Sequence, residues 1–125
     1  MQLDLPLKDR PTFIYVSGPY AEGDTEQNVR DALDAAQALV DNGFVPFVPH
    51  LFHFWDAQIP GDTDQWMRLD FEWLLKCDAV VRLPGSDLAA DREVIFARAH
   101  AVDVYDGIDN FLIEAFERRW ARAST

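Results

Sequence analysis

The sequence predicts an α/β domain, a three-layer, mostly parallel sheet built in the order βαβαβαβα. Three observations lead there. Four short apolar runs, residues 12–17, 44–49, 79–82 and 102–105, have the length and β-branched or aromatic content of buried strands. Each is followed by a polar or Gly/Pro-containing break and then by a longer stretch whose apolar residues recur at helical spacing. At 125 residues, 49% apolar and 13% aromatic, the chain can bury one sizeable core and is too apolar to be disordered. Residues 1–11 are read as a lead-in and 12–125 as a single domain, with no linker, internal repeat or low-complexity tract.

The elements follow in order. The lead-in carries two prolines and mixed charge. Thr12 to Ser17 is the first strand and ends in Gly18-Pro19. Tyr15 inside it is either a core tyrosine with a tethered hydroxyl or part of a site. The loop from Gly18 to Thr25 lacks the Gly-rich phosphate patterns, and Glu22, Asp24 and Glu26 would oppose a phosphate. Val29, Leu33, Ala36, Leu39 and Val40 then form a helical stripe, capped by Asp24 or Thr25 and stopped by Gly43. Phe44 to Pro49 is the second strand, kept short by Pro46 and Pro49.

His50 to Asp56 packs three aromatics and two histidines ahead of the loop punctuation Ile59-Pro60-Gly61. The segment is read as a loop whose aromatics either stack on a flat ring or simply anchor it. His50, His53 and Asp56 are too few ligands for a metal site, so none is expected. Asp62 to Lys76 is the second helix, with Asp62 and Gln65 in capping-box-like spacing. Trp66, Asp70, Trp73, Leu74 and Cys77 share one stripe of it, which leaves Asp70 on an apolar face. That carboxylate is either a general acid with a pKa raised by desolvation or a buried Asp paired with an Arg or an amide. Cys77 is a small buried hydrophobe.

Ala79 to Arg82 is the third strand, Leu83 to Leu88 carries turn chemistry, and a helix starts at Ala89. Val102 to Tyr105 is the fourth strand, Asp106-Gly107 a turn, and Asn110 to Ala123 a closing helix with an apolar face of Ile113, Phe116 and Trp120. Arg118, Arg119 and Arg122 near its end are read as solvated surface.

Composition narrows the function. The net charge of −11, from 22 acidic and 11 basic residues, repels a polyphosphate backbone and an anionic membrane alike. The expected partner is therefore a small molecule, with no nucleic-acid polymer and no membrane. A single cysteine forms no internal disulfide, and the first residues carry neither a signal peptide nor a membrane span, so the expected location is cytoplasmic. Asp87 and Glu93 fall where the third strand gives way to the next helix, the end of an α/β sheet at which ligands bind. Capping alone could also account for both.

These motifs resemble the nucleoside 2-deoxyribosyltransferase-like proteins, the superfamily that includes deoxyribosyltransferases and (deoxy)nucleoside monophosphate N-glycosidases. The resemblance rests on Ile14-Tyr15-Val16-Ser17-Gly18-Pro19-Tyr20, on Pro46 to Leu51 with His53-Phe54-Trp55, on Trp66, Asp70, Trp73 and Leu74, on Cys77 to Gly85, and on Ala90 to Glu93 leading into Ala97. It implies a doubly wound, flavodoxin-like sheet and a homodimer whose active site is completed across the interface. It also implies Glu93 as nucleophile, Tyr15 as the hydroxyl that orients it, and Asp70 as the acid beside the nucleobase. Asp87 matches the position at the sugar end. Gly18, Pro19, Tyr20, His50, Phe54, Trp55 and Ser86 are the further expected substrate contacts. Two departures are Ala89, where the family commonly has glycine, and the lack of an obvious counterpart to the transferases' long C-terminal extension.

The expected activity is cleavage or transfer of the N-glycosidic bond of a (deoxy)nucleoside or nucleotide, through a glutamate nucleophile and without metal or organic cofactor. One carboxylate traps the oxocarbenium-like carbon while a second acid protonates the departing base. The helix N-terminus is expected to keep Glu93 ionised while the apolar stripe raises Asp70. The alternatives are a nucleoside 5′-monophosphate N-glycosidase and a non-catalytic nucleotide-binding module on the same fold.

Overall fold

Nine helices and strands and one 3-10 turn run through the computed structural model, which describes the backbone of residues 12–124 and the side chains of residues 12–118. Strands β1 (Phe13–Ser17), β2 (Val45–Phe47), β3 (Ala79–Arg82) and β4 (Asp103–Asp106) form one all-parallel sheet in the order β2-β1-β3-β4. The chain steps from β1 outward to β2 and then crosses back to β3 on the other side of β1. This leaves a crevice at the carboxyl ends of β1 and β3, the topological switch point at which such sheets bind ligands. Register places Tyr15 beside Phe47 and Val80, and Ser17 beside Arg82. The lead-in and the side chains of Arg119, Trp120 and Arg122 lie outside the described residues.

Alternation along β1 divides the core. Ile14 and Val16 pack with Val81, Leu39, Phe44 and Phe111 on the face covered by α1 (Thr25–Asp41) and α5 (Ile108–Ser124). Tyr15 packs with Val80, Leu74 and Ala97 on the face covered by α3 (Thr63–Leu74) and α4 (Leu88–Ala99). Three layers follow, as the strand and helix order predicts.

Local chemistry sets the ends of the helices. Asp24 caps α1, Asp62 caps α3 by accepting from the Gln65 amide at 2.7 Å, and Asp87 caps α4 by accepting from Ala90 at 2.9 Å. Such caps contribute about 1 kcal/mol each. Gly43 has φ +89° and lets the chain leave α1 towards β2.

Four readings need correction. Pro49–Leu51 forms a 3-10 turn and Phe52–Gln58 a short helix, α2, where the sequence reads as loop. Proline at the start of the turn has no N–H to lose, and the stacking of Phe52 on Trp66 holds the helix where its own length would not. The buried face of α1 is Val29, Ala32, Ala35, Ala36 and Leu39, while Leu33 and Val40 are exposed. Alanines sit there because the helix lies close against the sheet. In α5, Ile113 and Phe116 are 57% and 66% exposed, and Phe111 and Ala115 face the core instead. The stripe on α3 is buried only in part, since Trp73 is exposed on one side while its ring stacks on Phe47 at 5.0 Å.

Candidate active site

β1 carries two hydroxyls on one side of the strand, Tyr15 and Ser17, and both are fully buried. Glu93 comes down from the second turn of α4 to meet them. Tyr15 Oη donates to Glu93 Oε2, and Ser17 Oγ donates to Glu93 Oε1 at 2.8 Å. Burial, then the negative charge of Glu93, push the Tyr15 pKa well above its ordinary value, so this hydroxyl stays protonated and remains a donor.

Asp70 reaches the same point from α3. Its Oδ1 is buried and has no hydrogen-bond partner among the described residues, and its carboxyl lies near enough to that of Glu93 for the two to share a proton in a hydrogen bond. Two carboxyls make such a bond only when one of them is protonated. Burial first, and then repulsion by Glu93, raise Asp70 to about 8. Burial also raises Glu93, to about 7, against the pull of the Tyr15 and Ser17 hydroxyls. The pair titrates as a unit and binds its protons far above the ordinary carboxylate range.

The expectation that the helix N-terminus keeps Glu93 ionised is therefore reversed. Glu93 lies six residues beyond the cap Asp87, past the first turn whose free N–H groups favour an anion, and it is only 4% exposed. Burial outweighs the dipole.

Above this pair opens a cleft of about 260 Å³. Gly18 and Tyr20 from the loop after β1, His50 and Phe52 from the turn and α2, Trp66 and Asp70 from α3, and Asp87 and Glu93 from the α4 end are among its lining. One aromatic wall is the Phe52–Trp66 stack, with ring centroids 5.4 Å apart. Asp56 locks that wall by accepting from the Trp66 indole N–H at 2.8 Å and from the Gly61 amide at 2.9 Å. These bonds hold its carboxyl below the usual range, the Gly61 bond most of all.

The opposite wall is the loop after β1. Asp87 is buried and accepts from the Tyr20 amide at 3.1 Å as well as from Ala90, so it caps α4 and ties the two loops together. The Tyr20 hydroxyl meets His53 Nδ1 at 2.5 Å. His50 is 3% exposed, its Nε2 donates to the Pro19 carbonyl at 3.1 Å, and burial lowers its pKa, which keeps the ring neutral. A side chain on Gly18 would meet Leu83 Cβ at 2.9 Å, so glycine is what lets the loop pass close to the residue that follows β3.

Of the residues singled out in the sequence, Glu93, Asp70, Gly18, Tyr20, His50 and Asp87 line the cleft, with Tyr15 directly behind Glu93. Pro19 lies outside the lining and contributes its carbonyl to His50. Phe54 and Trp55 are 60% and 49% exposed and also outside it, because α2 turns them away; Phe52 and Trp66 make the wall instead. Ser86 is exposed and outside the lining as well. Sequence reasoning missed Ser17 as a site residue, although its spacing of two from Tyr15 on a strand puts both on one face. It also missed Trp66 as cleft wall, although Trp66 and Asp70 are four apart on a helix.

The cleft is acidic. Asp56, Asp70, Asp87 and Glu93 line it, and among the described residues no Lys or Arg does. Arg82, at the end of β3, donates to the Leu83 carbonyl, to Gly85 O at 2.9 Å and to Asp91 at 3.1 Å, so its charge is spent on the β3–α4 loop. Among the described residues no group of three His, Cys, Asp or Glu side chains could hold a metal ion, and no helix is long and apolar enough to cross a membrane.

The fold is that of the deoxyribosyltransferases. A Leishmania mexicana protein described as a 2-desoxiribosyltransferase superposes with a TM-score of 0.57 at 18% identity, over 75% of this chain and 62% of that one. The chain thus spans less than two thirds of that protein's length. A 2-deoxyribosyltransferase from Bacillus psychrosaccharolyticus aligns at 16% identity with a TM-score of 0.48, over 74% of this chain and 69% of that one. No curated protein matches the sequence. Residues 12–104 match the family described as "Domain of unknown function (DUF7768)", and the chain belongs to that family.

Proposed function

We propose that this protein cleaves or transfers the N-glycosidic bond of a nucleoside, with Glu93 as nucleophile and Asp70 as general acid. The observation that carries the reading is the pair of carboxyls, Asp70 and a Glu93 held by the Tyr15 and Ser17 hydroxyls, that line one aromatic cleft at the carboxyl ends of β1 and β3. Burial raises both acids, so the pair shares its protons near neutral pH, and the reaction uses the form with the proton on Asp70 and the charge on Glu93. In the reaction the C1′–N bond breaks with its electron pair going to the base, which takes the Asp70 proton. C1′ bonds to a Glu93 oxygen. Water or an acceptor base then displaces Glu93 with Asp70 returning the favour as base. The deoxyribosyltransferase fold supports the same substrate class.

The charge of the cleft selects within that class. A 5′-phosphate brought against Asp87 meets repulsion of ~1–4 kcal/mol at contact distance, and among the described residues no Lys or Arg lines the cleft to offset it. Unphosphorylated nucleosides are therefore expected to bind more tightly than their 5′-monophosphates, by about ten-fold or more, in a competitive titration of one against the other. Tighter binding of the monophosphate, lost on Ser86→Ala, would reverse this choice in favour of a monophosphate N-glycosidase. Release of free base from a nucleoside panel tests the activity itself. Ligand binding without release at any pH would leave a binding module.

The outer face of α3 and α4 supports a homodimer. Leu88 and Ile95 are 62% and 67% exposed there, and the groove between the helices carries Arg68 and Arg92 beside Asp64 and Glu72. Such a face complements a second copy of itself about a two-fold axis. Light scattering is expected to return twice the chain mass of 14.3 kDa, and Arg68→Glu with Arg92→Glu to return the monomer.

A further inference from the structure

The Tyr15–Glu93 contact has a partner on the same strand that the proposed chemistry has not yet used. Ser17 is the last residue of β1, fully buried, and its Oγ lies 2.8 Å from the Glu93 oxygen that Tyr15 does not hold. We propose that Ser17 is a positioning residue for Glu93, a second hydroxyl clamp that fixes the carboxylate plane and favours its charged form. The proposal rests on the reading of Glu93 as nucleophile for its consequence in turnover, but not for its geometry.

The geometry restricts what this hydroxyl can do. A Ser hydroxyl has one proton to donate, and two acceptors lie near it: Glu93 Oε1 at 2.8 Å and the Ala90 carbonyl at 3.5 Å. An anionic carboxylate is the stronger acceptor, so the proton goes to Glu93 while Glu93 is charged. When Glu93 becomes an ester of the sugar carbon its charge is gone, and the Ala90 carbonyl, one turn back on the same helix, is ready to accept instead. The donor returns when the ester is displaced and the carboxylate is restored. Tyr15 on Oε2 and Ser17 on Oε1 thus bracket the carboxylate from a strand that cannot shift, since β1 is bonded to β2 on one side and β3 on the other.

The charged and titratable groups around Glu93 are Tyr15 from β1, Asp70 from α3 and Asp87 from the start of α4. Tyr15 and the protonated Asp70 stabilise the carboxylate by donation, whereas Asp87 opposes its charge. Ser17 acts in the same direction as Tyr15, and it does so with a group that does not itself titrate. Removing it takes away one donor to the charged form and must raise the pKa of Glu93.

The experiment is a carboxyl-carbon NMR titration of glutamate-labelled protein, with the Glu93 signal identified by its absence in Glu93→Gln. The Glu93 midpoint is expected to move up by about one pH unit in Ser17→Ala, a ten-fold gain in proton affinity, and to stay near the native value in Ser17→Thr, which keeps the hydroxyl. Circular dichroism establishes that each variant is folded. The acid limb of the pH–rate profile for nucleoside cleavage is expected to shift by the same amount, which a purely structural role for Ser17 would not produce. An unmoved Glu93 midpoint in folded Ser17→Ala overturns the proposal. A shifted midpoint in a protein that cleaves no nucleoside upholds the clamp and overturns the proposed activity, so the two failures are distinct.

Discussion

Glu93→Ala is expected to lower nucleoside turnover by at least about a thousand-fold while leaving the protein folded, because an activated nucleophile has no nearby substitute. The Asp70 and Asp87 carboxyls are close, but neither is bracketed by Tyr15 and Ser17, whose hydroxyls both point at Glu93. Glu93→Gln should be as inactive and nearly isosteric, which separates loss of chemistry from loss of packing. Single-turnover kinetics with a fluorinated sugar analogue, followed by mass spectrometry, checks the assignment positively: a labelled Glu93 is the expected product. Variants that retain turnover within ten-fold of the native protein would remove Glu93 from the mechanism.

A second large effect is expected in how stability depends on pH. Asp70 moves from 3.8 to about 8 and Glu93 from 4.5 to about 7 on folding, both raised chiefly by burial. Between the unfolded and folded values the native state holds protons that the unfolded chain has lost. Each acid therefore contributes stability that is fully present below its unfolded pKa and is lost as pH rises through the folded one. Asp70→Asn with Glu93→Gln removes this dependence. The double variant should match the native protein most closely near pH 5 and exceed its melting temperature by several degrees near pH 8.5, on the order expected for a few kcal/mol in a domain of this size. His50, whose pKa is lowered by burial, works in the opposite sense below its unfolded value of 6.5 but is common to both proteins and cancels in the comparison. A gap that stays constant from pH 5 to pH 8.5 would mean that the pair is not raised.

How much of this was legible in the sequence depends on which force decides each feature. Strand order, the three caps and the meeting of Glu93, Asp70 and Tyr15 follow from periodicity, turn residues and a family likeness, which are local or shared signals. The face of α1 was misread because a helix lying close to a sheet buries its alanines and leaves larger residues such as Leu33 at the rim. Helix α2 was missed because seven residues do not make a stable helix alone; contacts with Trp66, which is far along the chain, decide it. The charge of Glu93 was misjudged for a similar reason. Position in a helix is written in the sequence, but depth below the surface is set by everything packed above it.

The two acids of the site are mounted on unlike supports. Glu93 is held by hydroxyls from the central strand of a sheet, whereas Asp70 stands on α3, whose base is held through rings: Trp73 on Phe47 and Trp66 on Phe52, with Asp56 as the pin. Residues 52–74 thus carry the aromatic wall and the acid together on two helices, with no strand of the sheet among them. A substitution among those rings would therefore move the wall and the acid Asp70 together, while the support of Glu93 on β1 would stay as it is.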